Sequence, residues 1–255
     1  MDIRISSFIF CYCLVIAFIL GSCIGSFILC QAYRIIHHEN WWSGRSHCDS
    51  CGHTLTILDL FPIVSYIFLH GRCRYCHKKI GKTSLLVEVG LGSLFTVYLA
   101  YYGRLDLHLF GTYGLFAVLL GLSIVDMQSY EIPDGYILFG VICWLFTHLS
   151  TILSDIVGAV LIAGSILLLV FIMDKVMKKE TMGGGDIKLY FLVTLFLGGY
   201  VGLLNVILSC IVGLLFVLIR REEKIPFGPS ISISTVICVF IGNSIVQWYL
   251  GLLGM

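Results

Sequence analysis

Long runs of apolar residues, separated by short polar stretches, dominate the chain. Eight runs can be drawn, and each is long enough, or nearly so, to cross the roughly 30 Å of bilayer hydrocarbon as a helix. They cover residues 6–30, 85–102, 108–126, 135–153, 154–173, 186–200, 201–219 and 231–253. The run 186–200 is the weakest, and the division at 153/154 depends on a short polar turn. The pattern predicts an all-α polytopic membrane protein with about eight transmembrane helices.

The composition agrees with a protein embedded in the lipid bilayer. Hydrophobic residues make up 58% of the 255 positions and charged residues 12%, whereas a soluble domain is about half apolar and one quarter charged. The formal net charge of +1 gives no indication of a nucleic-acid-binding surface. Residues 5–30 are too long for the apolar region of a cleaved signal peptide and lack a strongly basic start, so we expect a retained helix.

The basic residues fall on one side of the predicted bundle. If eight helices alternate, 14 of the 16 Lys and Arg residues lie in loops 31–84, 174–185 with its edge at Lys188, and 220–230. Since cytoplasmic loops are enriched in Lys and Arg, we expect these loops in the cytoplasm and both termini outside. The chain then has three parts: a first transmembrane helix at 1–30, a cytoplasmic loop domain at 31–84 and a membrane-embedded domain at 85–255.

Four cysteines stand in the predicted loop domain as two C-x-x-C pairs separated by 21 residues: Cys48, Cys51, Cys73 and Cys76. Such pairs can supply four thiolates to a tetrahedral zinc site. A loop of this size is too small for a sizeable core and commonly needs a staple, meaning a disulfide or a structural metal that links its parts. The reducing cytoplasm disfavours disulfides, but a redox dithiol or free thiols stay open. We expect structural zinc, because four protein ligands leave no position for a substrate.

Two aspartates are the strongest candidates for chemistry, because ionisable residues in membrane segments are costly and are functional candidates by default. Asp126 ends the third predicted helix and Asp186 begins the sixth. Helix alternation places both at the cytoplasmic boundary. There, one carboxylate could take a proton from water while the other protonates a leaving amine. Carboxylates a few ångströms apart would share a proton and titrate as a unit.

The residues around the aspartates leave other interpretations open. Gly183, Gly184 and Gly185 would allow unusual backbone conformations and a close approach by a peptide, or form a flexible loop in which Asp186 only caps a helix. A transporter or membrane scaffold could use paired aspartates for ions or protons, although a carrier favours acids near the midplane. Glu88, a further acid within a predicted helix, is expected to form tertiary hydrogen bonds.

A series of short motifs runs along the chain in a fixed order. They are GSCIGSFILCQAYR (21–34), RSHCDSCGHTL (45–55), DLFPIVSY (59–66), GRCRYCHKKIGKTSLLVE (71–88), Asp126 eight residues before Asp134 of Ile-Pro-Asp, GGGDIK (183–188) and IPFGPS (225–230). In this order they resemble the type IV prepilin leader peptidase/N-methyltransferases of type IV pilus and type II secretion systems. That family consists of intramembrane aspartyl proteases with a G-x-G-D motif.

The resemblance implies that Asp126 and Asp186 are the catalytic pair. It places Gly183, Gly185 and Lys188 in the active-site loop. The implied reaction is cleavage of prepilin or pseudopilin leaders after a glycine, at the cytoplasmic face of the bacterial inner membrane. The implied second activity is methylation of the new N-terminus with S-adenosylmethionine as donor, with which the cysteine loop domain is associated.

Two positions depart from the pattern of the family. Asp49 replaces the usual proline after the first cysteine, and Ser84 stands where proline is common before the second helix. Both change the geometry of the loop domain rather than of the aspartate segments. A peptidase that lacks methyltransferase activity is therefore an alternative function.

Overall fold

The computed structural model describes residues 7–40, 44–48, 50–179, 181–220 and 225–254. Within these ranges the regular structure is helical, and extended pairing is limited to two isolated bridges in the cysteine loop. The all-α fold predicted from the apolar runs is confirmed. Asp49 and the basic positions Arg221 and Lys224 lie outside the described residues.

The helices follow one another along the described chain with short connections outside the cysteine loop. They are α1 (Ser7–Ile36), α2 (Val64–Phe68), α3 (Lys82–Tyr102), α4 (Leu107–Ser129), α5 (Asp134–Thr147), α6 (Ile152–Met177), α7 (Gly184–Leu197), α8 (Gly199–Arg220), α9 (Gly228–Ile237) and α10 (Asn243–Leu252). A 3-10 helix covers Ile57–Asp59, and a π-helical turn at Cys238–Gly242 joins α9 to α10.

Six helical segments of the described chain are long and apolar enough to cross a membrane: α1, α3, α4, α6, α8 and the continuous α9–α10 segment. The protein is therefore a multi-pass membrane protein. The other two predicted runs are also helical, as α5 and α7, but each has 14 residues. Fourteen residues give about 21 Å of helix, which is shorter than the hydrocarbon layer. The predicted count of eight crossings is not confirmed.

The chain divides into two compact units, Met1–Leu105 and Asp106–Met255. In the first unit, α1 packs along α3 through glycines. A Cβ added at Gly21 of α1 would lie 2.7 Å from the carbonyl oxygen of Leu91, and one added at Gly92 of α3 would lie 2.8 Å from that of Phe18. Small residues of this kind let membrane helices approach closely. This unit contains the cysteine loop with both flanking helices. The division of the chain into three domains at 30/31 and 84/85 stays a prediction.

In the second unit, α4 packs against α5 and α9, and α7 packs against α5, α6, α8 and α9. Its core is apolar and includes Leu115, Phe116, Leu122, Leu189 and Leu192. Because successive helices reverse direction, α4 ends where α5, α7 and α9 begin. The candidate active site lies at this end of the unit.

At the opposite end of the second unit, a buried acid has a structural explanation. Asp155, in the first turn of α6, accepts hydrogen bonds from the Thr151 hydroxyl at 2.7 Å and from the Trp144 indole N–H at 3.4 Å. These bonds close the turn between α5 and α6. They also explain why the predicted run 135–153 stops being helical at Thr147.

Candidate active site

Asp126 lies in the last turn of α4 and is only 5% exposed. Its Oδ2 accepts a hydrogen bond of 2.7 Å from the backbone N–H of Gly228. The helix ends just beyond it, because Tyr130 takes a left-handed conformation (φ 56°) and donates its N–H to the Asp126 carbonyl. The C-terminal end of a helix disfavours negative charge, so a charged Asp126 depends on the donor from α9.

Gly228 is the first residue of α9, and Pro229 follows it in the first helical turn. The first N–H groups of a helix have no partner within the helix and carry partial positive charge, which suits them to bind a carboxylate. A Cβ at position 228 would lie 2.7 Å from Asp126 Oδ2, so only glycine fits. The motif IPFGPS (225–230) does not by itself predict this contact. The proline after Gly228, typical of a helix start, was the available signal.

Asp186 lies half-buried in the first turn of α7, and its backbone N–H bonds to the carbonyl of Gly183 at 3.1 Å. The negative charge of Asp126 acts on the Asp186 carboxyl group. The two acids, 60 positions apart in sequence, are therefore within electrostatic range of each other. Their catalytic role is a prediction that this proximity makes physically reasonable.

The glycines before Asp186 act through their size rather than through unusual backbone angles. None of Gly183, Gly184 and Gly185 is among the described residues with positive φ. A Cβ at Gly185 would lie 2.9 Å from the Cβ of Ile132, in the turn before α5. A Cβ at Gly183 would lie 3.5 Å from Asp186 Oδ2. The lack of a side chain at Gly185 lets the starts of α5 and α7 pack together. The lack of one at Gly183 leaves room beside the Asp186 carboxylate.

Lys188 lies within α7 and forms an ion pair at the surface. Its ammonium group donates to Asp134 Oδ1 at 2.7 Å, and both side chains are more than half exposed. Because Asp134 begins α5, the pair links the starts of two helices that surround the aspartates. An exposed pair of this kind contributes at most about 1 kcal/mol. The predicted place of Lys188 in an active-site loop stays a prediction.

The four predicted metal-binding cysteines meet in the first unit. The Sγ atoms of Cys48, Cys51, Cys73 and Cys76 all lie within 4.8 Å of one another, and those of Cys48 and Cys76 are 3.9 Å apart. Tetrahedral zinc with Zn–S bonds of about 2.3 Å places its sulfur atoms about 3.8 Å apart. The cluster therefore has the donor set and the spacing that structural zinc requires.

Each cysteine pair is shaped by the same backbone turn. The N–H of the fourth residue after the first cysteine bonds to that cysteine's carbonyl, at 2.8 Å for Gly52 to Cys48 and 3.0 Å for His77 to Cys73. Gly52 and His77 both have positive φ, 69° and 57°. The two cysteine pairs therefore share one turn geometry, with glycine at the left-handed position in the first and histidine, which is enriched in that conformation, in the second.

The second turn also prepares its first cysteine for metal binding. Backbone N–H groups of Cys76 and Tyr75 bond to the Cys73 sulfur and lower its pKa from 9.0 to about 7. Hydrogen bonds to the charged form favour that form. The thiolate is the form that binds zinc, so the local backbone supports the ligand role of Cys73.

Two family models match the chain, Bacterial Peptidase A24 N-terminal domain at residues 19–102 and Type IV leader peptidase family at residues 113–218. A "Prepilin leader peptidase/N-methyltransferase" of Burkholderia pseudomallei (strain 1026b) is 32% identical over 212 residues, which cover 78% of this chain and 68% of the relative. Proteins of the same name are 30% identical in Pseudomonas putida, over 95% of this chain and 96% of the relative, and 28% identical in Bacillus subtilis (strain 168), over 92% and 97%.

No solved structure matches the chain significantly. The family resemblance inferred from the ordered motifs is confirmed by both family models and by relatives that align over most of the chain. The two family matches fall on the two compact units, one on each. The chain belongs to the type IV leader peptidase family.

Proposed function

We propose that the protein removes the leader peptide of type IV prepilins and pseudopilins and methylates the new N-terminus. Its relatives carry the name of both activities. The observation that supports Asp126 and Asp186 as the peptidase residues is their position at one end of the second unit, near enough for the charge of Asp126 to act on Asp186. The transporter alternative has no support in the family comparison, and the acids stand at helix ends rather than in the middle of helices.

Peptide hydrolysis at this site needs one carboxylate as base and one carboxylic acid. Asp126 suits the base, because the Gly228 N–H stabilises its charged form. The neighbouring Asp186 then keeps the shared proton, since two adjacent carboxylates do not both ionise readily. In this scheme Asp126 takes a proton from the attacking water and Asp186 protonates the leaving amine.

The end of the second unit that carries the aspartates is proposed to face the cytoplasm of the bacterial cell. Lys175 lies in the last turn of α6, Lys178 follows that helix, and Lys188 lies near the start of α7. Basic residues at helix ends favour the cytoplasmic side. A reporter fused after Lys179 is expected to give a cytoplasmic signal, and a periplasmic signal would contradict this orientation.

The four cysteines are proposed to hold one structural zinc ion. Zinc would supply four bonds that join the two turns, and it would leave no open coordination position for catalysis. The fit rests on the sulfur spacing and on the shared turn geometry. The staple would replace the hydrophobic core that a loop of this size cannot build.

Methylation implies S-adenosylmethionine as the donor, with a positively charged sulfonium group. A cavity of about 500 Å³ beside the cysteine cluster has a basic lining: Leu69, His70, Arg72, Cys73, Arg74 and His77. This lining offers no carboxylate to a sulfonium. The cavity therefore does not fit the donor, and we assign it no role in methyl transfer.

Mass measurement of a coexpressed prepilin tests both activities. Loss of the leader is expected from peptidase activity, and an additional methyl group on the product from methyltransferase activity. The matched variants Asp126→Asn and Asp186→Asn should leave the prepilin uncut. An uncut prepilin with the wild-type protein would contradict the proposal, whereas a cut but unmethylated product would identify a peptidase without the second activity.

A further inference from the structure

The segment between the two cysteine pairs presents an unusual surface. We name residues 57–68 the apolar loop; it contains the 3-10 helix and α2. Its exposed residues are all hydrophobic, with exposed fractions between 43% and 79%: Ile57, Leu58, Leu60, Phe61, Val64, Ile67 and Phe68. A surface that faces water shows scattered apolar residues among polar ones. A contiguous apolar stretch instead marks a surface that contacts protein or membrane.

The one charged residue of the apolar loop points away from that surface. The Asp59 side chain is only 4% exposed and lies 2.7 Å from the Arg74 guanidinium. It also accepts hydrogen bonds from the Thr56 hydroxyl at 2.6 Å and the Tyr75 hydroxyl at 3.3 Å. The one carboxylate of the apolar loop is thus paired with Arg74 within the cysteine loop, and the exposed residues of the apolar loop carry no charge.

Glu88 fixes the apolar loop beside a membrane-spanning helix. This buried residue of α3 accepts a 2.7 Å hydrogen bond from the Ile63 backbone N–H and one of 3.1 Å from the Ser84 hydroxyl. Ser84 and Glu88 lie roughly 3 and 9 Å along the helix axis from Lys82, the first residue of α3. Ile63 therefore lies alongside the first turns of α3 rather than beyond its end.

The length of α3 indicates the depth at which Ile63 lies in the membrane. Its 21 residues give about 31 Å, close to the thickness of the hydrocarbon layer. Nearly the whole helix is needed to span the layer, so its first turns lie at the membrane boundary. The apolar loop, attached there through Ile63, lies at the same level.

The backbone of the apolar loop is held in a strained form that free loops avoid. Ile63 has φ 61° and ψ −50°, and the Val64 N–H bonds back to the Pro62 carbonyl at 2.5 Å. A β-branched residue rarely adopts positive φ, and such strain persists only where surrounding contacts impose it. The hydrogen bond from the Ile63 N–H to Glu88 is such a contact. The fold itself therefore keeps the apolar side chains of the loop exposed.

We propose that the apolar loop is a membrane-interface anchor, which inserts its exposed side chains into the headgroup and upper acyl region of the bilayer spanned by α1 and α3. Interfacial elements of this kind combine apolar side chains with nearby basic residues that attract anionic lipids. Besides Arg74, which is paired with Asp59, four exposed basic residues follow the loop: Arg72, Lys78, Lys79 and Lys82. The anchor holds the cysteine cluster at the membrane surface.

Site-specific photo-crosslinking tests the anchor in native membranes that contain no prepilin. Benzoylphenylalanine replaces Phe61 or Phe68 in the full chain. Val97, exposed on the spanning part of α3, serves as the lipid-facing control, and Glu39, exposed and acidic beyond the end of α1, as the water-facing control. After irradiation, mass spectrometry should find phospholipid adducts at positions 61, 68 and 97, at least tenfold above position 39.

Absence of lipid adducts at 61 and 68, with strong adducts at 97, would overturn the proposal. The same experiment is repeated with a coexpressed prepilin. Adducts that shift from lipid to prepilin at 61 and 68 would also overturn it, and would identify the loop as a peptide-docking surface. Leader cleavage by each labelled variant is measured in parallel, so that a misfolded variant is recognised and replaced by a label at Ile67.

Discussion

Gly228→Ala is the substitution that most directly tests the proposed geometry of the active site. The added Cβ would lie 2.7 Å from Asp126 Oδ2, whereas ordinary contacts begin at 3.4 Å. Asp126 or the start of α9 must then move by about 0.7 Å, and displacement of a reacting group by about 1 Å can reduce the rate on the order of 100-fold. Loss of the hydrogen bond from the Gly228 N–H would lower the stabilisation of the charged Asp126 carboxylate by about 1.5–3 kcal/mol.

These effects predict a fall in kcat/KM for leader cleavage of about 10- to 100-fold, measured with purified protein and a prepilin in detergent or nanodiscs. Gly135→Ala is the matched control, since Gly135 lies at the same end of the unit and no atom lies within 4 Å of its added Cβ. It should cleave at the wild-type rate. Thermal unfolding of both variants separates a damaged site from a damaged fold. A well-folded Gly228→Ala protein with wild-type kcat/KM would refute the role assigned to this glycine.

Three further sets of substitutions test the aspartates, the cysteine cluster and the membrane helix that carries Glu88. Asp126→Asn and Asp186→Asn should each reduce cleavage by about 10²- to 10⁴-fold, because neither acid can perform the proton transfer of the other; near-normal cleavage by either variant would exclude the pair. Cys48→Ser should lower the zinc content from about one ion per chain and reduce methylation more than cleavage; wild-type protein without zinc but with both activities would show that the cysteines are not a metal site. Glu88→Leu should destabilise the first unit by about 1–3 kcal/mol, because the Ile63 N–H loses its acceptor, whereas Glu88→Gln keeps an acceptor and should lose less; equal thermal stability of the two variants would contradict this account.

Local properties of the chain were sufficient to predict the helical fold and the clustering of the four cysteines. A run of apolar residues satisfies its own backbone hydrogen bonds as a helix wherever it stands, and two C-x-x-C pairs form their turns from neighbouring residues. The exact ends of the helices were harder to predict. The hydropathy pattern does not reveal the hydrogen bonds from Thr151 and Trp144 to Asp155, which close the turn after α5. The predicted end of that helix was therefore several residues too late.

Contacts between distant residues were decided only by the tertiary structure. Helix alternation predicts Asp126 and Asp186 at one membrane face, and the proline after Gly228 marks a helix start. The sequence does not reveal that this helix start, 102 positions beyond Asp126, donates to the Asp126 carboxylate. It also did not reveal the strained turn at Ile63, which Glu88 holds from 25 positions away. A single sequence records the preferences of each residue for its neighbours and for lipid or water. Which backbone N–H meets which carboxylate depends on how the helices pack, and that follows from the whole chain at once.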